Sequence, residues 1–368
     1  MLMTLVASDL DSIASAVGYA FYASQLDQQR AFVPLVQTAR DDLYLRPENV
    51  DVLASSKIED LDLVCLNDVE PARLSQLGAS FALVDHNKLL PAFGEGKVVA
   101  IIDHHADEGF HTDASPRLIK LAGSCSSLVT QHFGPLLPSP SAIPATLADL
   151  LISAVLIDTS LKPVPDGKAT ADDVESAAFL IPLSTFVTLS GTWVKSKAGE
   201  LAAVKGSVGH LSGRDLLRRD YKEYAIGPWR YGIVTIPLPL STWLAKSGAA
   251  GTGWLLVQAD IEAYANEHGL QMVIALTSYN VVDPLKKGGK GVHARELVAF
   301  ISDSKLAPLF AEIAKDPVLK LGPWRGGKAD LDGKAWRVWQ QENAKATRKQ
   351  VAPVVKTILE ALEASEKQ

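Results

Sequence analysis

The chain has 368 residues, 47% of them hydrophobic and 21% charged, with a net charge of −6. That describes an ordinary globular protein long enough for two domains. It holds no charged-then-apolar leader, no apolar run of membrane length, no basic stripe interleaved with aromatics and only two cysteines, Cys65 and Cys125. No membrane association, no nucleic acid partner, no disulfide framework and a cytoplasmic location are therefore expected.

Thr4-Leu5-Val6-Ala7 reads as a first strand, followed by Asp9 and Asp11 and by a helix from about Ser12 with Ile13, Val17, Ala20 and Phe21 on one face. Residues 31–36 make a second strand. Residues 38–60 look like a polar, irregular excursion. Residues 61–66 predict a third strand ending at Asn67-Asp68, and residues 81–84 a fourth ending at Asp85-His86-Asn87. The fifth, Val98-Val99-Ala100-Ile101-Ile102, stops abruptly at Asp103-His104-His105. So continuous an apolar run is that of a strand buried on both faces of a parallel sheet.

Strands separated by helical stretches imply βαβ crossovers, which put all the carboxyl ends on one edge. Asp9, Asp11, Asp68, Asp85 and Asp103 would then converge there, far apart in sequence but close in space. Crowded carboxylates repel, and a bound divalent cation relieves them. Oxygen and imidazole donors suit Mg²⁺ or Mn²⁺.

Gly123-Ser124-Cys125-Ser126-Ser127 opens another helix. Its free N–H groups could receive an anion, and it reads equally as an ordinary serine cap. A helix from about Pro144 carries Leu147, Leu150, Leu151, Ala154 and Val155 and ends at Ile157-Asp158-Thr159, where an acid after so apolar a run asks for a partner or a metal. Residues 169–183 predict a helix with Asp172, Asp173 and Glu175 on a solvated first turn.

A boundary is expected between Thr188 and Gly213: a first domain over 1–190, a linker over 191–212 and a second α/β domain over 213–368. Strands are predicted at 231–236, 253–258 and 270–278, and a last helix has Pro353 in its first turn and Val354, Val355, Ile358, Leu359 and Leu362 as its buried stripe. Residues 1–190 hold 11 Lys and Arg against 24 Asp and Glu, and residues 191–368 hold 25 against 18. Either this is chance surface composition, or an acidic half gathers cations and a basic half gathers an anion. The basic residues include Arg214, Arg218, Arg219, Lys222, the 286–290 loop and Arg348-Lys349.

The motifs Asp9-Leu10-Asp11-Ser12, Val84-Asp85-His86-Asn87, Asp103-His104-His105, Gly123-Ser124-Cys125-Ser126-Ser127 and Ser153 to Asp158 resemble the DHH phosphoesterase family. With Asp220-Tyr221-Lys222 and Thr347-Arg348-Lys349-Gln350-Val351-Ala352-Pro353, the chain resembles the branch with a DHHA2-type C-terminal domain, and within it fungal exopolyphosphatases more than bacterial pyrophosphatases. The resemblance implies an α/β fold: an N-terminal parallel-sheet domain with helices on both faces, a smaller α/β C-terminal domain, and an active site in the cleft between them. It implies two divalent ions, Mn²⁺ or Mg²⁺, held by Asp9, Asp11, Asp85, His104 and Asp158, with Asp85 bridging. His105 would face the phosphate, Lys222, Arg348 and Lys349 would clamp phosphate oxygens, His86 and Asp103 would orient their neighbours, and Ser124 and Ser126 would bind phosphate.

The activity so implied is a metal-dependent exopolyphosphatase that cleaves terminal phosphoanhydride bonds of inorganic polyphosphate with a two-metal-activated water. The alternatives are a pyrophosphatase or nucleotide phosphohydrolase on the same fold, or a metal-weakened prune-like phosphate-binding scaffold. The implied partners are polyphosphate or pyrophosphate, with the chain a monomer or weak homodimer. One position departs from the family pattern: Leu5 stands where a metal-facing His or Asn is expected.

Overall fold

A computed structural model describes residues 2–6, 9–186, 190–249, 251–281, 291–326 and 332–366. They fall into two compact units, residues 1–207 and 208–368.

The first unit is built on six parallel strands: β1 (Leu2–Val6), β2 (Phe32–Val36), β3 (Val64–Cys65), β4 (Ser80–Val84), β5 (Lys97–Asp103) and β6 (Arg117–Ile119). Their order is β3-β2-β1-β4-β5-β6. The chain leaves β1 toward β2 on one side and returns to β4 on the other, so the direction of winding reverses between β1 and β4. That reversal opens the crevice where α/β sheets bind ligands.

The two-residue period of the strands divides their side chains between two cores. Val36, Ala82, Val84, Ala100 and Ile102 face one, and Leu35, Phe81, Leu83, Val98 and Ile101 face the other. Full burial of each large member contributes about 1.5–3 kcal/mol. The first core is covered by α1 (Leu10–Leu26), α2 (Pro47–Ser55), and, after α3 (Pro71–Gln76) on the opposite face, by α4 (Cys125–Phe133), α5 (Ala145–Thr159), α6 (Ala171–Leu180) and α7 (Gly191–Gly206).

Several local expectations need correction. The excursion at 38–60 contains α2, because Val52 and Leu53 reach the core one turn after Pro47 opens the helix. The third strand shrinks to Val64–Cys65, since Glu59 and Asp62 close a reciprocal cap around a turn at Asp60–Asp62. Asp173 is fully buried rather than solvated. Most of the stretch read as a linker is α7, capped by Ser190 and buried along Val194, Ala198 and Leu201.

The second unit runs α8 (Gly213–Arg219), β7 (Tyr221–Ile226), β8 (Trp229–Ile236), α9 (Leu240–Ser247), α10 (Gly253–His268), β9 (Met272–Thr277), β10 (Tyr279–Val281), β11 (Val292–Ile301), α11 (Ala307–Lys315), β12 (Leu321–Pro323), β13 (Trp336–Gln341) and α12 (Arg348–Glu366). The sheet order is β12-β13-β11-β9-β8-β7, with β10 beside β11; β8 and β9 are parallel and the other pairs antiparallel. Residues 253–258 open a helix instead of a strand, because Gly253, Val257, Ile261, Tyr264 and Ala265 bury one helical stripe through to His268. Pro353 lies in the second turn of α12 rather than the first, and the expected stripe packs beneath it with Val351. The 286–290 loop lies outside the described residues.

Candidate metal and phosphate site of the first unit

The site grows from the carboxyl ends of three adjacent strands: Asp9 and Asp11 follow β1, Asp85 follows β4, and His104 and His105 follow β5. Asp85 takes a left-handed backbone (φ 62°), a conformation open to Asp because its short side chain adds little clash. The turn brings its carboxylate to the imidazoles: Oδ1 lies 3.1 Å from His104 Nε2 and 3.6 Å from His105 Nδ1. Among the described residues, Asp85, His104 and His105 form a group whose ligand atoms all lie within 4.8 Å of one another.

Each ring is oriented by a neighbour. His104 donates Nδ1–H to the Ala122 carbonyl at 3.0 Å, which directs Nε2 toward Asp85. His105 donates Nδ1–H to Asp103 Oδ1 at 2.9 Å. Asp103 is buried and itself receives Asn87 Nδ2 at 2.6 Å. Burial would raise its pKa, and its bonds with His105 and Asn87 outweigh that and keep it low. His105 therefore keeps Nδ1 on Asp103 and presents Nε2. His86 donates to the Val84 carbonyl and accepts from Gln37 Nε2 at 3.2 Å, beside Asp85 but bonded elsewhere.

Negative charge is in excess. Ser12 Oγ contacts Asp9 Oδ1 at 2.8 Å and also Asp85 Oδ2, so one hydroxyl proton serves two carboxylates. Burial, with Asp9 and Asp11 close by, pushes Asp85 up to about 6 despite His104. Burial, with Asp11 adding, pushes Asp158 up to about 7 against the pull of Lys205, 3.9 Å away. Burial alone would lower His104, but the Asp85 contact and the Asp11 charge lift it to about 9. Asp9 is half-buried, and although desolvation would raise it, the Arg46 charge and the Ser12 bonds hold it below the ordinary carboxylate value.

The residues fit a divalent cation. Asp85 Oδ1 is fully buried, and among the described residues only the imidazoles of His104, at 3.1 Å, and His105, at 3.6 Å, approach it. A buried carboxylate oxygen that meets only imidazole nitrogen, with further carboxylates close by, is a costly arrangement that a cation satisfies. Carboxylate oxygen with imidazole nitrogen is a donor set for Mn²⁺ or Mg²⁺.

Two expectations about phosphate contacts meet a different arrangement. The N-terminus of α4 already holds an anion, the chain's own Asp11: Ser124 Oγ donates to it at 2.7 Å, Cys125 N at 2.6 Å and Ser126 N at 2.9 Å. Ser124 and Ser126 thus anchor Asp11 rather than offer open donors. Asp68 is also placed elsewhere, bonded to Arg40 and to Cys65 N. Sequence reasoning missed Ser12, Asn87, Arg46 and Lys205. The first two stand inside the quoted motifs, while nothing in the sequence singles out the last two.

In the second unit, Arg348 Nη1 donates to Asp220 Oδ1 at 2.8 Å and to its carbonyl at 3.2 Å. Lys222 and Lys349 are exposed.

Comparison with known proteins adds a family match on both units: "DHH family, N-terminal domain" over residues 2–155 and "DHHA2 domain" over residues 199–358. A Schizosaccharomyces pombe protein named "Putative exopolyphosphatase" is 30% identical over 364 residues, covering 95% of this chain and 88% of that one. "Exopolyphosphatase PRUNE1" of Bos taurus is 28% identical, covering 96% of this chain and 74% of the relative. The "Manganese-dependent inorganic pyrophosphatase" of Methanocaldococcus jannaschii is 27% identical over 234 residues, 61% of this chain and 67% of that one. A solved Methanococcus jannaschii structure, described as a "putative family II inorganic pyrophosphatase", shares the fold with a TM-score of 0.62 at 20% identity, covering 97% of this chain and 99% of that one.

Proposed function

We propose, from the premise that the chain belongs to the DHH family of phosphohydrolases with a DHHA2 second domain, that it hydrolyses inorganic polyphosphate from the chain end with divalent metal. The observation that carries this reading is the buried Asp85 carboxylate facing His104 and His105, within a chain similar along nearly its whole length to proteins named exopolyphosphatase.

In this reading Asp85 and His104, with Asp9, Asp11 and Asp158, hold the metal, two Mn²⁺ or Mg²⁺ ions when complete. Bound there, divalent cations neutralise the carboxylates and lower the pKa of a water nucleophile. Asp103 keeps Nδ1 of His105 protonated, so Nε2 can exchange a proton with phosphate oxygen. Asn87 holds Asp103 in place while also receiving Glu108 N at 2.9 Å, which fixes the loop after His105. Lys222, Arg348 and Lys349 offset charge on the transferred phosphoryl and the leaving chain, and the Asp220 bonds hold Arg348 in one rotamer.

The test is phosphate release from long-chain polyphosphate, pyrophosphate and a nucleotide with Mn²⁺ or Mg²⁺. Polyphosphate is expected to be the preferred substrate. Preference for pyrophosphate would move the chain to the pyrophosphatase reading, and no release from any of them would leave a phosphate-binding scaffold.

A further inference from the structure

The second unit contains a cation that neither the motifs nor the reading above uses. Arg295, near the start of β11, is only 8% exposed. Its side chain makes one hydrogen bond to a described residue, from Nε to the Ala344 carbonyl at 2.9 Å. Arg40, Arg117, Arg214 and Arg230 each meet a carboxylate. Arg295 meets none among the described residues, and burial lowers its pKa from the ordinary value.

The adjacent Glu296 does not serve it. That side chain turns to the opposite face of the sheet, where it accepts from Leu240 N at 2.6 Å, Trp324 Nε1 at 2.8 Å and Thr277 Oγ1 at 3.1 Å. With Nε fixed and neither Nη group bonded to a described residue, this guanidinium is a fork open to an anion.

Its place in the sheet tells which anion. Leu297, two residues on, lies in the core beneath α12, so Arg295 shares that face. Lys222 shares it too, since it pairs across β7 and β8 with Ile233 of the same core. Strands β8 and β9 separate β7 from β11. Three strand spacings are roughly 14 Å. The Ala344 bond holds Arg295 toward β13, on the side of β11 away from Lys222. Arg348 is tied to Asp220, at the β7 end of the same face. The backbones that carry Arg295 and Lys222 are thus three strand spacings apart, a separation suited to a chain of phosphates more than to a two-phosphate anion.

We propose that Arg295 is a phosphate-binding residue for the body of a polyphosphate chain, engaged by long chains and left unused by pyrophosphate. The proposal rests on the polyphosphate reading. It is tested by equilibrium binding of long-chain polyphosphate and of pyrophosphate to the full chain in EDTA, which prevents turnover, alongside steady-state kinetics with metal. Arg295→Gln is expected to weaken long-chain binding about tenfold, to raise KM for the long chain with kcat nearly unchanged, and to leave pyrophosphate binding within twofold.

Arg295→Lys keeps the charge without the fork and should fall between the two, and thermal melting of both variants identifies loss of fold. If Arg295→Gln does not fold, Arg295→Lys decides the matter by the same length dependence. Unchanged long-chain binding, or equal losses for both ligands, overturns the proposal. Wild-type chain that binds long polyphosphate through Arg295 but hydrolyses none leaves this inference standing and removes the enzymatic reading. Normal hydrolysis with an indifferent Arg295→Gln does the reverse.

Discussion

At the scale of single residues, the site is defined by charge that the described residues do not fully neutralise. Asp85 faces His104 with one oxygen and Ser12 with the other. Replacing it by alanine removes the central carboxylate, so Asp85→Ala is expected to lower turnover by more than about a hundredfold; near-normal rates in a phosphate-release assay would refute the site. The same excess charge gives stability a sign. In the metal-stripped chain, folding lifts Asp85 to about 6 and Asp158 to about 7. Above the ordinary carboxylate pKa of about 4 the folded state therefore holds protons that the unfolded state has released, and stability falls as pH rises through that window. His104, lifted to about 9, has its full stabilising effect below the ordinary histidine value of about 6.5 and loses it as pH climbs through 9. The melting temperature in EDTA is thus expected to drop from about pH 5 to about pH 8, and added Mn²⁺ to raise it more at the higher pH. A flat or rising profile in EDTA would contradict the charge assignment. Leu5 pairs in register with Leu83, two residues before Asp85, and leucine offers no donor atom. Leu5→Asn should tighten Mn²⁺ binding severalfold in a calorimetric titration; an unchanged isotherm would show that position 5 does not contribute.

At the scale of elements, buried carboxylates serve as joints between helices. Asp11, in the first turn of α1, caps α4. Asp173, in the first turn of α6, receives Gly123 N at 2.9 Å, Ser124 N at 3.1 Å, Ser127 Oγ at 2.7 Å and Thr170 N at 2.6 Å. Gly123 is required there, since a Cβ would stand 2.4 Å from Thr159 Cγ2 and 2.7 Å from Asp173 Oδ2. The joint thus sets the position of α4, which in turn holds Asp11 near Asp85 and Asp158. Asp173→Ala leaves several buried donors without an acceptor and should destabilise by at least about 3 kcal/mol, measured by urea unfolding. A loss under about 1 kcal/mol would show that water replaces the carboxylate.

At the scale of the whole molecule, acids exceed bases over residues 1–190 and bases exceed acids over 191–368, and under the proposed function the first would gather cations and the second an anion. Polyphosphate binding should accordingly survive chelation of the metal while hydrolysis stops, and should weaken as salt rises because exposed lysines are screened. Binding that vanishes in EDTA would place the anion on the metal alone. The periodicity of β4 and β5, the stripe of α12 and the acids at strand ends were legible because burial imposes a two- or 3.6-residue pattern on any local stretch. The approach of Asp85 to His104 and His105 was legible for a similar reason, as parallel strands must deliver their carboxyl ends to one edge. Sequence could not reveal that Asp11 fills the α4 N-terminus, that Asp173 lies buried, that 253–258 is helical, or that Arg295 meets no carboxylate among the described residues. Each of those depends on which distant residue arrives as a partner, and a side chain's partner across the fold leaves no period in its own neighbourhood.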